Sequence, residues 1–300
     1  MDPFKSGYIA ILGRPNVGKS TLLNKLLGEK ISIVSEKPQT TRNRIVGIVN
    51  TPDAQVVFLD TPGIHKGRDT FNKWMVDQAL STLSEVDVAA LVVEAGESPG
   101  PGDKRVAEAI IASKKPAVLV VNKVDAVSPG VRKTRIEAYR ALLPGVETFA
   151  VSALEGEGVD GFLASLITRL PEGPKYFPDD QLTDVPERFV AAEIVREKVF
   201  LRTSEEIPYS VAVVTDTWQE SGKQGEPIRI ECTLFVERES QKGMLIGKNG
   251  QMLKVIGTEA RHELEAFLAA KVMLKLWVKV RKDWSKDKSS LEEFGYRGSR

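Results

Sequence analysis

The stretch GRPNVGKS, residues 13 to 20, constrains this chain more than any other. It fits G-x-x-x-x-G-K-[ST], with the β-rich run YIAIL (8–12) before it and a helical segment after it. Glycines at 13 and 18 let backbone N–H groups close around phosphate oxygens, and the following helix turns its positive end toward them. In such a loop Lys19 bridges the β- and γ-phosphates and Ser20 ligates Mg²⁺, with Gly13, Asn16, Val17, Gly18 and Thr21 completing the cradle. A strand that ends where a helix begins is the local signature of an α/β sheet.

The rest of the first half supplies that sheet. RIVGIV (44–49), QVVFL (55–59), VAALVV (88–93), AVLVV (117–121) and TFAV (148–151) are short β-rich runs. Several are apolar without alternation, as strands covered on both faces are. Helical patterns over 70–85, 103–114 and 131–142 separate the later runs, so residues 1–170 are expected to form a doubly wound, mostly parallel sheet. Ligands of such sheets bind beyond the carboxyl ends of the strands.

Motifs at those ends point to the ligand. NKVD (122–125) follows AVLVV, and a carboxylate at Asp125 can accept two N–H donors from the Watson–Crick edge of guanine. Adenine lacks that donor pair, and sites built on buried hydrogen bonds reject the wrong partner by roughly 10⁴-fold. Asn122 is expected to bind the base and brace the phosphate loop, with the stem of Lys123 along the ring. SAL (Ser152, Ala153, Leu154) adds a backbone donor for the guanine oxygen, expected at Ala153.

Two further motifs read as γ-phosphate sensors. In QTTR (39–42), Thr41, with Thr40 as the alternative, ligates Mg²⁺ when the phosphate is present. In DTPG (60–63), Asp60 lies near the metal and the Gly63 N–H faces the phosphate. Loss of that phosphate releases both loops, an order–disorder switch. The expected catalytic set is therefore Lys19, Thr41 and Gly63, and the expected metal set Ser20, Thr41 and Asp60. Ile64 stands where small signalling GTPases carry a water-orienting glutamine, and it can neither donate nor accept a hydrogen bond. His65 is adjacent, but Lys66, Gly67, Arg68 and Asp69 beside it describe an exposed loop, so catalysis is not assigned to it. His262, in EARHELEAFLAA, reads as structural or solvated.

From about Leu170 the texture changes. LPEGPKYFPDDQLTDVPE carries four prolines and no period, and reads as a semi-rigid linker over 171–186. Residues 187–285 then run helix (187–199), strand (209–217), strand (228–237), helix (240–246), helix (251–269), strand (272–281), a small α+β domain, with 286–300 as a tail. Within it GMLIGKNGQMLKVIG holds Gly247-Lys248-Asn249-Gly250 between two helical patterns, with Ile246, Leu253 and Ile256 at regular spacing. A G-x-x-G loop in that setting lets a nucleic-acid backbone approach closely, as in KH domains, and Lys254 lies on the helix that follows. Residues 241–300 hold thirteen Lys/Arg against seven Asp/Glu, so the cationic end of the chain coincides with this loop. The last strand sets Lys275, Trp277, Lys279 and Arg281 on one face, either an RNA surface or an ordinary solvated face with Trp277 on lysine stems.

The five nucleotide elements, in this order, resemble the translation-factor-related GTPases over about residues 5–170. With the linker and the G-x-x-G domain, and with PERFVAAEIVREK (186–198) and EEIPYSVAV (205–213) as its opening helix and strand, nearly the whole chain resembles the Era family. That resemblance implies a P-loop GTPase domain followed by a type II KH domain, with GTP/GDP and Mg²⁺ as cofactors. It further implies single-stranded RNA near the 3′ end of small-subunit ribosomal RNA as partner, bound by residues 246–250 and Lys254, and a role in assembling the small ribosomal subunit. Ribosome-linked GTPases resembling this one carry a hydrophobic residue at the Ile64 position, which implies slow hydrolysis until a partner helps. A monomer, peripheral at the inner membrane surface, is the family's implication for location and assembly.

Composition sets the remaining bounds. With 42% hydrophobic and 28% charged residues and a net charge of +1, the chain is not a globally basic nucleic-acid binder. Its single cysteine, Cys232, excludes an internal disulfide and sits in phase with Ile228, Ile230, Leu234 and Val236 as a core thiol. No apolar run approaches the roughly 20 residues of a membrane span, and a cytoplasmic protein is expected. A membrane-associated signalling GTPase whose C-terminal domain contacts protein or lipid is the alternative, but the G-x-x-G loop has no lipid rationale. A metabolic enzyme consuming GTP would need a second set of catalytic side chains, and none stands out.

Overall fold

The computed structural model describes residues 3–35, 37, 39–64, 70–220 and 225–296, and the chain divides into two compact units at Asp184/Val185. In the first unit strands and helices alternate: β1 (Lys5–Leu12), α1 (Lys19–Leu27), β2 (Ile45–Asn50), β3 (Ala54–Asp60), α2 (Thr70–Glu85) and β4 (Val88–Glu94), then α3 (Pro101–Ser113), β5 (Ala117–Asn122), α4 (Pro129–Arg140), β6 (Glu147–Ala150) and α5 (Val159–Arg169). The strands form one sheet in the order β2-β3-β1-β4-β5-β6, parallel except for β2 against β3. The unbroken apolar runs are strands covered on both faces: every residue of β3 is buried, and β4 is buried up to Val93.

Strand order positions the site. β1 has β3 on one side and β4 on the other, so the loop leaving Leu12 opens at the switch point of the sheet. Because β2 is antiparallel, with Ile45 opposite Asp60, its lead-in carries Thr41 to the edge where β3 ends.

The proline-rich stretch, expected as a semi-rigid linker over 171–186, is held by hydrogen bonds over most of its length. Up to Asp184 it is strapped to the first unit. The Gln55 side chain accepts the N–H groups of Tyr176 (2.6 Å) and Phe177 (3.0 Å) and donates to the Phe177 carbonyl (2.9 Å). Ile48 N–H donates to the Leu182 carbonyl (2.8 Å) and the Thr183 hydroxyl to the Val46 carbonyl (2.6 Å), which satisfies the open edge of β2.

The second unit contains α6 (Glu187–Arg202), α7 (Ile207–Ser210), β7 (Ala212–Gln219), β8 (Ile228–Val236), α8 (Glu239–Ile246), α9 (Gln251–Phe267), β9 (Val272–Val280) and α10 (Lys288–Glu293). Its sheet runs β7-β8-β9, with β8 antiparallel to β7 and parallel to β9. Helix α9 turns Ile256, Ala260 and Leu264, four residues apart, into the core. Cys232 is fully buried between Ile230 and Leu234, and burial pushes its thiol up to about 11. Two expectations are corrected. Residues 207–210 are a helical turn, with Pro208 in its first turn, so the first strand begins at Ala212. Over its described residues, 286–296, the expected tail is ordered: α10 is capped by Asp287, Leu291 is buried, and Phe294 and Tyr296 are buried against Trp284.

Candidate functional site

The loop between β1 and α1 closes on itself and on β5. Gly18 has φ 90, and a side chain there would strike the Asn122 amide. Asn122 donates from Nδ2 to the Val17 carbonyl (2.9 Å), and its Oδ1 accepts the Ala153 N–H (3.0 Å). One buried amide thus ties the phosphate loop to the segment after β6. The Ala153 N–H, expected to face a guanine oxygen, is engaged by Asn122 instead. Lys19 begins α1, is buried, and donates from Nζ to the Arg14 carbonyl (2.9 Å). Burial lowers its ammonium to about 8, against the opposing pull of Asp60.

Three predicted residues converge beside it. Ser20 Oγ donates to Asp60 Oδ2 (2.7 Å) and lies 2.8 Å from Thr41 Oγ1. Thr40 turns away, its hydroxyl donating to the Lys37 carbonyl (2.6 Å), so of the two threonines Thr41 joins the cluster. Asp60 is fully buried, and burial raises its carboxyl pKa in spite of Lys19 and the hydroxyls of Ser20 and Ser32. Among the described residues its Oδ1 finds no hydrogen-bond partner. Such a set of oxygen donors suits a hard cation that keeps water and phosphate ligands. Ser32, which donates to Asp60 Oδ2 (2.9 Å), escaped the sequence reading, as did Asn24, whose side chain holds the Ile31 and Ser32 backbone. Neither sits at a motif position, so spacing carried no signal for them.

Gly63 lies flat on the phosphate loop. An added Cβ would fall 2.5 Å from the Pro15 nitrogen and 2.6 Å from its Cα, which no side-chain rotation relieves. The next N–H, of Ile64, donates to the Gly13 carbonyl (3.0 Å), and the Ile64 side chain is wholly buried in the core of this unit. His65 and Lys66–Asp69 lie outside the described residues.

At the neighbouring strand ends, Lys123 takes φ 60 and pairs through Nζ with Glu94 (2.8 Å), while Asp125 is exposed on the short turn Val124–Ala126. Val124 N–H donates to the Val151 carbonyl (3.2 Å), which sets this turn beside Ser152–Leu154. Ser152 is buried and accepts the Glu155 N–H at its hydroxyl (3.1 Å), whereas Leu154 is 70% exposed.

In the second unit Gly247 (φ 71), Asn249 (φ 52) and Gly250 (φ 76) form a left-handed turn between α8 and α9, with Lys248, Asn249 and Lys254 exposed and Ile246 half-buried. A side chain at Gly247 would meet Met252, whereas Gly250 faces open space. A groove of about 330 Å³ runs from Gly250 between α9 and β9, floored by Leu253, Leu274 and Leu276 and edged by Lys254 and Arg261. Leu274, Leu276 and Arg261 were not assigned to the RNA site from sequence, because only the packing of β9 beside α9 brings them to the loop. On the opposite sheet face, Trp277 (3.3 Å) and Lys275 (3.5 Å) both turn to Glu231, so much of that face is internally paired.

Among the described residues no helix is long and apolar enough to cross a membrane, and no group of three or more His, Cys, Asp or Glu side chains could hold a metal. Residues 8–123 match the family described as 50S ribosome-binding GTPase, and residues 206–285 match the KH domain. GTPase Era of Geobacter metallireducens is 53% identical over 295 residues, covering 98% of this chain and 99% of that one. Among solved structures, a variant of Aquifex aeolicus Era bound to GDP·AlF4⁻ superposes with a TM-score of 0.93 at 41% identity over 98% of this chain and 99% of that one. Era in complex with MgGDPNP and nucleotides 1506–1542 of 16S ribosomal RNA superposes equally well, TM-score 0.93 at 42% identity, with the same coverage.

Proposed function

The chain belongs to the Era family of GTPases, and from that premise we propose that it is a GTP-gated RNA switch. The first unit binds GTP with Mg²⁺ and hydrolyses it slowly, and the second binds single-stranded RNA from the 3′ end of small-subunit ribosomal RNA. One observation carries the nucleotide reading: Ser20, Thr41 and Asp60, from three separate segments, meet within hydrogen-bond reach beside the buried Lys19.

In this reading the backbone from Gly13 to Thr21 cradles the phosphates, and Lys19 exchanges the Arg14 carbonyl for phosphate oxygens. Ser20 and Thr41 would hold Mg²⁺, with Asp60 Oδ1 available beside them. Bound Mg²⁺ supplies charge neutralisation on the phosphate oxygens. Gly63, seated on Pro15, offers its N–H where the γ-phosphate arrives. Asp125 accepts the two guanine N–H groups, the Lys123 stem covers the ring, and Ser152–Leu154 close the far side of the base. Asn122 holds base loop and phosphate loop in one register.

The RNA reading is supported by the left-handed Gly247–Gly250 turn and its cation-edged groove, and by the relative that carries 16S ribosomal RNA. Hydrolysis then times RNA release during assembly of the small subunit. The protein acts as a cytoplasmic monomer that associates peripherally with the inner membrane, a part of the reading drawn from the family alone. Two variants test the function. Asp125→Asn shifts nucleotide preference from guanosine toward xanthosine, and unchanged preference refutes the base assignment. Gly250→Asp weakens RNA binding at fixed salt while sparing GTP binding, and unaltered RNA affinity refutes the second half.

A further inference from the structure

We infer that Asp103, on α3, is a positioning residue for the bound nucleotide, acting through Arg14 of the phosphate loop; the inference rests on the nucleotide reading above. Arg14 has two attachments. Its carbonyl accepts the Lys19 ammonium at 2.9 Å, and its guanidinium donates from Nε to Asp103 Oδ1 at 2.7 Å and pairs with Glu97 at 2.9 Å. Asp103 is wholly buried, and its second oxygen accepts the Gly100 N–H at 2.8 Å, so both of its oxygens are committed.

The surroundings lock this geometry. Gly102 packs so closely that an added Cβ would fall 2.7 Å from Arg14 Cδ. Fully buried Tyr139 of α4 lies beside the pair, where burial and then the Asp103 charge push its phenol to about 12, so it stays neutral. Burial alone would lower the Arg14 pKa, but the hydrogen bonds to Asp103 and Glu97 raise it above its ordinary value. The same β4–α3 segment holds Lys123 through Glu94 (2.8 Å) and receives Arg135 at Ser98. One segment therefore braces the phosphate loop and the base loop together.

A loop that must present several N–H groups and one lysine to phosphate gains affinity when it is ordered before the ligand arrives. Anchoring Arg14 fixes the carbonyl on which Lys19 waits. The test is release of fluorescent GDP from the full chain, well below its melting temperature. Asp103→Asn keeps the shape but removes the charge, and Arg14→Gln removes the other partner. Each is expected to release GDP at least tenfold faster, the double variant no faster than the faster single one, and Arg14→Lys, which retains a cation, less than threefold faster. Release within twofold of wild type in folded Asp103→Asn, or effects that multiply in the double variant, overturns the inference. Should the buried variants not fold, Glu97→Gln decides, since that residue is largely exposed: about threefold faster release supports the role, and no change refutes it. Failure of the wild-type chain to bind GDP would instead refute the nucleotide reading itself.

Discussion

Replacing Ile64 by glutamine puts a water-orienting residue at the position where small signalling GTPases carry one, yet the structure predicts no gain in hydrolysis. The Ile64 side chain has no exposure and belongs to the same apolar cluster as Leu12, Leu59, Leu91 and Val93. Its N–H is fixed to the Gly13 carbonyl, so the side-chain direction is set by backbone already docked on the phosphate loop. Removing a fully buried isoleucine costs about 1.5–3 kcal/mol. An amide left in its place without partners costs about 1–3 kcal/mol more. The sum is about 2.5–6 kcal/mol, and at roughly 2–4 °C per kcal/mol for a unit of this size the melting temperature falls by roughly 5–25 °C. Ile64→Leu, which conserves volume, costs less than about 1.5 kcal/mol. Calorimetric melting and single-turnover hydrolysis, measured on both variants, test the reasoning. A glutamine variant as stable as wild type that hydrolyses GTP faster without RNA would refute it.

Three further outcomes follow from the geometry. Thr41→Ala abolishes the Mg²⁺-dependent preference for GTP over GDP, while Thr40→Ala changes it less than threefold; titration with both nucleotides distinguishes them, and equal effects would return the two residues to ambiguity. Lys19, lowered by burial to about 8, regains a proton when phosphate replaces the Arg14 carbonyl, so nucleotide binding takes up protons above pH 8 and progressively less below it. Its folded pKa lies below the unfolded value, so the nucleotide-free protein gains stability as pH rises from about 8 toward 10.5; calorimetry in buffers of differing ionisation enthalpy checks the uptake, and denaturant titration across that range checks the stability. Gly63→Ala lifts the 61–64 loop off Pro15, lowering GTP affinity at least tenfold while GDP affinity changes less; equal affinities for both nucleotides would mean the loop does not sense the γ-phosphate.

Local rules made much of this legible. The phosphate loop, NKVD and DTPG each carry their meaning in spacing, and alternating strand and helix patterns placed them at strand ends. What escaped depended on who packs against whom. Adjacent Thr40 and Thr41 are chemically identical, and only the folded loop leading into antiparallel β2 shows which hydroxyl reaches Ser20 and which turns to the Lys37 carbonyl. Ile64 looked like a lost catalytic group because motif position says nothing of burial. Prolines over 171–186 read as a spacer because the acceptors and donors along the edge of β2 are not visible in the sequence. At the C-terminus, charge masked Trp284, Leu291, Phe294 and Tyr296, which are all buried. Arg14 and Asp103 are far apart in the chain, and no periodicity links them.

One titration shows whether nucleotide state governs RNA binding. A fluorescent single-stranded RNA matching the 3′ end of small-subunit ribosomal RNA is titrated with the full chain at fixed salt and Mg²⁺, once with GDP and once with a non-hydrolysable GTP analogue. Gating by nucleotide predicts at least tenfold tighter binding with the analogue, a difference of about 1.4 kcal/mol or more. Equal affinities in the two states would contradict it.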